Sequence, residues 1–380
     1  MNTLKVLNVY AGNLYGGIES MLFTLARTKG EVPGFDMDFA LCFPGRLMDE
    51  LRSTKATTHD LGPVRARYFW QVYRARHRLK TVLKKTRYDA VILHASWPYA
   101  IFAPVVRQAG IPLIYWQHDL ASANPQSKIE KVAARIKPNF IISNSHFSAK
   151  TLVNLFPQIP YKVLYYPVLP SIPAADSASQ RTSVRQELQT PLDHVVITLT
   201  ARLESWKGHH LLLDALSNLH DLPGWTAWIV GGPQRPAEHS YLAGLKQKAQ
   251  QYAIEDRVVF VGQRNDVRRL LYASDIHCQP NTGPEPFGIA FIEALYCGLP
   301  LVTTAIGAAV EIVDTSCGQT VPADESKALS EALRELITNT TKRQTLSAYG
   351  PTRAADLCDP GKSIRELRSL IETLKPVANH

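Results

Sequence analysis

The sequence predicts an α/β protein made of two parallel-sheet domains. Three observations carry that expectation. Short β-rich runs alternate with helical patterns in both halves of the chain. A Pro-, Ser- and Ala-rich stretch, Tyr166 to Arg185, separates the two series and reads as a linker. The chain has 380 residues, which at about 150 residues per domain favours two domains.

In chain order, the first series gives strands over Leu4–Tyr10, Met37–Phe43, Ala90–His94, Leu113–Gln117, Phe140–Ser143 and Tyr161–Leu164. Helical patterns cover Ile18–Thr28, Phe69–Lys85 and Lys128–Ile136. The second series gives strands over Val195–Thr200, Thr226–Val230, Val258–Val261, Ile276–Gln279 and Leu301–Thr304, with helices over His209–Leu219, Tyr241–Tyr252, Val267–Ala273 and Gly288–Tyr296. Ile364, Leu367, Ile371 and Leu374 recur at helical spacing in the tail, so a terminal helix with an apolar stripe must dock. The expected division is an N-terminal domain over 1–168, a linker over 169–185, a C-terminal domain over 186–355, and a tail helix within 356–380 that returns to the N-terminal domain. Ligands of open α/β sheets bind beyond the carboxyl ends of the strands, so two such domains are expected to face each other across a ligand cleft.

Composition narrows the classes. Apolar residues make up 45% and charged residues 20%, which excludes disordered, collagen-like and coiled-coil readings. Five cysteines, odd in number and without a CxxC pair, argue against a disulfide framework or a zinc site and suit a reducing compartment. The N-terminus reads as a first strand. The uncharged run Ala90 to Val106 contains His94, Pro98 and Pro104 and reads as strand, loop and helix. A cytoplasmic protein without a spanning helix is expected. The net charge of +9 points to an anionic partner.

Three constellations carry chemistry. Gly12 to Glu19, with Gly16 and Gly17, joins the first strand to a helix. It reads either as a tight turn or as a loop that brings backbone N–H groups to a phosphate. Its spacing does not meet the dinucleotide fingerprint. Arg202 and Lys207, with Gly208, follow the first strand of the second domain; they form either a solvated basic loop or a pair that neutralises a diphosphate. Glu285 and Glu293 lie eight residues apart in PEPFGIAFIE. A carboxylate accepts hydrogen bonds from sugar or ribose hydroxyls, and a helix N-terminus after Gly288 offers N–H groups. Apolar neighbours around Glu293 argue against a merely solvated face.

These residues resemble the family 4 retaining glycosyltransferases, whose architecture is GT-B, two Rossmann-like domains. The resemblance extends over nearly the whole chain; its most specific part is EPFGIAFIEA with the following Cys297, Gly298 and Pro300. It implies that Arg202 and Lys207 hold the donor diphosphate and stabilise it as leaving group. Glu285 would bind hydroxyls of the transferred sugar, helped by the amides of Phe287, Gly288 and Ile289, and Glu293 would bind the ribose. The turn ending at Arg264 would receive the base, while Gly16 and Gly17 would bring an amide to the phosphates. His118 looks like the family's histidine near the transferred sugar; the competing reading is a satisfied loop histidine. His94 and Asn144, also at strand ends, are candidates for the acceptor side or for capping roles. The resemblance implies a UDP- or GDP-linked sugar donor, a glycan, lipid-linked or small-molecule acceptor, no metal and no cofactor. A nucleotide-sugar epimerase is the alternative within enzymes. A basic nucleic-acid-binding protein is the alternative outside them, without a zinc, RNP or helix-turn-helix signal to support it, and no nucleic-acid partner is expected.

The positive charge is local. Residues 65–87 hold nine Lys/Arg and no Asp or Glu. Wound at 100° per residue, Tyr68, Val72, Ala75, Leu79, Val82 and Leu83 form one apolar stripe. The other side is basic with Phe69, Trp70 and Tyr73, a pattern suited either to an anionic membrane surface or to a solvated helix on the sheet.

Overall fold

The structure is a computed structural model that describes residues 3–12, 15–123, 127–170 and 177–374. The chain forms two compact units, Met1–Leu169 with Cys358–His380, and Pro170–Leu357.

Among the described residues the first unit carries seven strands: β1 (Leu4–Tyr10), β2 (Phe35–Leu41), β3 (Thr58–Asp60), β4 (Ala90–His94), β5 (Leu113–Gln117), β6 (Phe140–Ser143) and β7 (Tyr161–Val163). All pair in parallel, in the order β3-β2-β1-β4-β5-β6-β7. β2 starts two residues earlier than its hydrophobic run suggests, because Leu4 to Tyr10 of β1 pair with Phe35 to Leu41 and set its length. Leu7, Val9, Val91 and Leu93 bury one sheet face against Ala75, Leu79, Phe102 and Val106 of the covering helices. The apolar stripe of the helix Phe69–Lys85 thus faces the core, with Val72 and Val82 packed at its margin.

The second unit carries β8 (Val195–Thr200), β9 (Trp225–Val230), β10 (Val258–Gly262), β11 (Ile276–Gln279), β12 (Leu301–Thr304) and β13 (Gly318–Val321). They are parallel, in the order β10-β9-β8-β11-β12-β13. β3 and β13 are short and polar, which hides them from hydrophobic patterning. In each sheet the winding direction reverses once, between β1 and β4 and between β8 and β11. The carboxyl ends at such a reversal are where open α/β sheets bind ligands.

The expected linker over 169–185 is corrected. Residues 171–176 lie outside the described residues, but Ser177–Glu187 is a helix of the second unit. Its Val184 is buried beside Trp228, Leu270 and Ala273. Its Arg185, also fully buried, donates to Ala273 O, Leu192 O and His194 O and pairs with Asp275 at 2.6 Å. Burial of one apolar and one fully bonded cationic side chain holds a helix whose Ser- and Gln-rich surface reads as a linker.

The tail helix spans Pro360–Thr373, started by Asp359, whose carboxylate accepts from Lys362 N. Ile364, Leu367 and Ile371 are buried. Arg368 donates to Pro33 O, and Glu366 pairs with Lys162 at 3.0 Å, so the helix belongs to the first unit. The last residues of the expected tail, 375–380, lie outside the described residues. No helix among the described residues is long and apolar enough to cross a membrane.

Candidate active site

In the second unit, the loops after β8 and β11 converge. Gly208 makes this approach possible: its φ is +79°, and a Cβ there would lie 1.7 Å from Pro280 O. Thr282 N donates to Trp206 O at 2.9 Å, tying the two loops. The convergence brings Lys207 Nζ to 2.6 Å from Glu285 Oε2 and to 3.9 Å from the centre of the Trp206 ring. Gln279 Nε2 and Asn281 Nδ2 stand 3.5 and 3.4 Å from the same carboxylate oxygen. Gly307 closes against Glu285 from the loop after β12, where a Cβ would come within 2.4 Å of Glu285 N. Arg202, more exposed than Lys207, ion-pairs with Glu204 at 3.1 Å.

Gly288 adopts a left-handed backbone (φ +100°) and starts the helix Ile289–Tyr296. Phe287 is buried, and the first turn leaves N–H groups without intrahelical acceptors. Glu293, one turn in, is partly buried, and burial pushes its carboxyl above the ordinary range, with Arg268 opposing. No hydrogen bond holds its carboxylate among the described residues, so it is open to a hydroxyl. The sequence-predicted Arg202, Lys207, Glu285, Phe287, Gly288, Ile289 and Glu293 therefore all belong to the loop after β8 or to the loop and helix after β11.

In the first unit, strand ends assemble a buried polar chain. His94 Nε2 lies 3.0 Å from Asn8 Oδ1, His94 Nδ1 lies 2.9 Å from His118 Nε2, and His118 Nδ1 meets the Tyr166 hydroxyl. With Asn8 Oδ1 as acceptor, His94 carries its proton on Nε2, His118 donates to His94, and Tyr166 donates to His118. Asn144 Nδ2 donates to His118 O and to Tyr166 Oη at 3.1 and 3.2 Å. Burial drives the His94 pKa down to about 3, and burial together with His94 holds His118 well below its ordinary value. His118, His94 and Asn144 thus form one neutral network in which both His118 ring nitrogens are already engaged. Gly16 and Gly17 stand at the start of the helix Gly17–Thr28, whose Glu19 accepts from the Tyr10 hydroxyl at 2.9 Å.

Among the described residues, the buried neutral histidines His94, His118, His209 and His277 make stability depend on pH. His277 is pushed to about 3 and His209 to about 4, both mainly by burial. The unfolded chain binds a proton at each histidine near 6.5 that the native state refuses, so stability is complete above that value and falls as pH drops below it. Each such group contributes up to about 1.4 kcal/mol per pH unit in that window. The melting temperature is therefore expected to fall clearly between pH 7.5 and pH 5, above the range where carboxylates protonate; an equal melting temperature at both would contradict the neutral burial of these rings.

Comparison with known proteins now adds to this geometry. The family profile described as Glycosyltransferase Family 4 matches residues 15–168, and the one described as Glycosyl transferases group 1 matches residues 180–353. The chain belongs to the family 4 glycosyltransferases. It is 26% identical to a D-inositol 3-phosphate glycosyltransferase of Stackebrandtia nassauensis over 65% of this chain and 59% of that one. It is 31% identical to a phosphatidyl-myo-inositol mannosyltransferase of Mycobacterium leprae over 42% of this chain and 41% of the relative. The chain thus spans between 41% and 59% of the length of these curated relatives. Among solved structures, Anabaena HepE in complex with UDP and glucose superposes with a TM-score of 0.83 at 24% identity, covering 98% of this chain and 100% of that one. That likeness shows the GT-B fold class.

Within this family 4 chain, the predicted base-side residue Arg264 has carboxylate partners of its own. Arg264 grips Asp266 through Nε and Nη2, both at 2.7 Å, and Glu187 through Nη1 at 2.6 Å. Its guanidinium ties Glu187, at the end of the helix Ser177–Glu187, to Asp266, which precedes the helix Val267–Tyr272, so two carboxylates already engage it. Sequence reasoning missed Gln279, Asn281 and Trp206 around Glu285 and Lys207, and Asn8 and Tyr166 around the histidines. For Asn8, Gln279 and Asn281 the available signal was position: polar residues in or just after strands that are otherwise apolar.

Proposed function

We propose that the chain is a retaining, metal-independent glycosyltransferase that moves a sugar from a UDP- or GDP-linked donor to a glycan, lipid-linked or small-molecule acceptor. The observation that carries this reading is the pairing of Lys207 with Glu285 at the β8/β11 reversal, beside Arg202 and the helix N-terminus after Gly288. Arg202 and Lys207 supply the positive charge that the leaving diphosphate needs. Glu285, oriented by Gln279 and Asn281, accepts from sugar hydroxyls, the amides of Gly288 and Ile289 donate to the donor's oxygens, and the open carboxylate of Glu293 receives the ribose. The bond from the anomeric carbon to the phosphate oxygen breaks as the bond to the acceptor oxygen forms on the same face. The leaving phosphate oxygen takes the acceptor's proton. Rate then comes from positioning and from electrostatic stabilisation of the leaving group. The histidine network holds His118 in one tautomer beside the acceptor side. The protein acts in the cytoplasm, with the basic segment 65–87 meeting the anionic inner face of a membrane.

HepE is described with UDP and glucose, which supports a nucleotide-sugar donor. A thermal-shift screen against UDP, GDP, ADP and their sugars tests the reading. A clear upward shift with one nucleotide and its sugar is expected; no shift with any of them would remove the donor site.

A further inference from the structure

The first unit has an apolar groove lined by none of the residues of the candidate active site. It lies between the helices Phe69–Lys85, Ser96–Gln108 and Lys128–Ala133. Phe69, Val72, Tyr73, Ile101, Ile129 and Val132 line it, around a volume of about 370 Å³. That volume is within the range of small-ligand sites. Phe69, Tyr73 and Val132 are 78%, 73% and 41% exposed, a neighbouring set of apolar side chains that folding leaves in water.

The segments that supply two of its walls are rich in cations. One wall belongs to the segment 65–87 with its nine Lys/Arg. The fold sets a second basic segment opposite it: residues 128–137 hold Lys128, Lys131, Arg135 and Lys137 against Glu130 alone. None of these cations forms an ion pair among the described residues. Arg76, inside the groove, donates from Nε to Ile101 O at 2.7 Å, which fixes the helix Phe69–Lys85 to the helix Ser96–Gln108 and keeps the groove in shape. An apolar floor between two cationic rims is complementary to an amphiphile with an anionic head. A second copy of this chain on the same face would set cationic rim against cationic rim.

We propose that this groove seats an acyl chain of an anionic phospholipid, with the headgroup phosphates held by the rims of residues 65–87 and 128–137. The proposal rests on the reading of the basic segment as a membrane contact and gives that contact a defined site. Charge draws the surface to the bilayer, and the groove supplies an apolar term that salt does not screen.

The test is sedimentation of the full chain with vesicles of phosphatidylcholine, alone or with about one third phosphatidylglycerol, at low salt and at about 0.5 M salt, where surface charges are screened within a few ångströms. Two variants are compared: the groove triple variant Phe69→Ser, Tyr73→Ser, Val132→Ser, and the rim variant Lys128→Glu, Lys131→Glu. Wild type is expected to bind only the phosphatidylglycerol vesicles and to keep part of that binding at high salt. The rim variant should bind at least about tenfold more weakly. The groove variant should bind at low salt and lose the salt-resistant fraction. Equal salt-resistant binding by wild type and groove variant, or none by wild type, would overturn the acyl-chain site. So would a groove variant that loses self-association while lipid binding stays the same, since a second copy would then cover the groove. Wild type that ignores both kinds of vesicle would end the membrane reading too. A UDP-induced thermal shift measured on both variants should match wild type, which keeps this test separate from the donor site.

Discussion

Glu285→Gln is expected to tighten UDP binding while transfer falls. Lys207 and Glu285 meet at 2.6 Å with side chains only 13% and 9% exposed, so in the proposed mechanism a donor diphosphate would have to take the ammonium from a carboxylate that already holds it. Glutamine keeps the size and a hydrogen-bonding oxygen but gives up the charge. UDP affinity should rise by roughly tenfold, equivalent to about 1.4 kcal/mol. Transfer should drop by about 10²–10³-fold, because the sugar loses its charged hydroxyl acceptor. Lys207→Ala alone would confuse the result, since it strands a buried carboxylate at a cost of about 3–5 kcal/mol. The double variant Lys207→Ala, Glu285→Gln removes that cost and should lose both UDP affinity and transfer. Titration calorimetry with UDP decides the matter: weaker binding by Glu285→Gln would mean that the pair does not compete with the donor.

Gly208→Ala is expected to be the most damaging single methyl addition in the proposed donor site. The new carbon would sit 1.7 Å from Pro280 O and 3.2 Å from Asn281 N, and the residue would remain at φ +79°. Both obstacles are backbone, so no side chain can swing aside. A left-handed conformation costs roughly 1–2 kcal/mol and forced overpacking about 1–3 more. A fall in melting temperature of roughly 5–15 °C should follow, with loss of nucleotide protection. Gly16→Ala is the control: its backbone is extended, and among the described residues its Cβ would meet only Glu19 Oε2 at 3.7 Å. Similar melting temperatures for the two variants would mean that the convergence of the β8 and β11 loops does not depend on Gly208.

The legible parts of the fold were those where local pattern and burial agree. β1, β4, β5, β6, β8, β11 and β12 occupy the predicted residues because each is a short apolar run buried in a parallel sheet. The helix Phe69–Lys85 was legible because its stripe keeps helical spacing. The helix Ser177–Glu187 was not, because long-range bonds from Arg185 to β11's flank decide it against a polar composition. The same limit applies to Arg264, whose partner Glu187 is brought in by folding from far along the chain, although Asp266 lies only two residues away.

The sequence alone determined the candidate side chains, because carboxylates, cations and glycines placed just after strands stand out by position and residue type wherever the strands are packed. Only the tertiary structure decided how those side chains meet. It paired Lys207 with Glu285, closed His94, His118, Tyr166 and Asn144 into one neutral network, and raised a second basic wall beside residues 65–87. The physical reason is common to all three. Hydrogen bonds and ion pairs act over a few ångströms, and sheet order, which brings residues dozens of positions apart within that range, is set by packing.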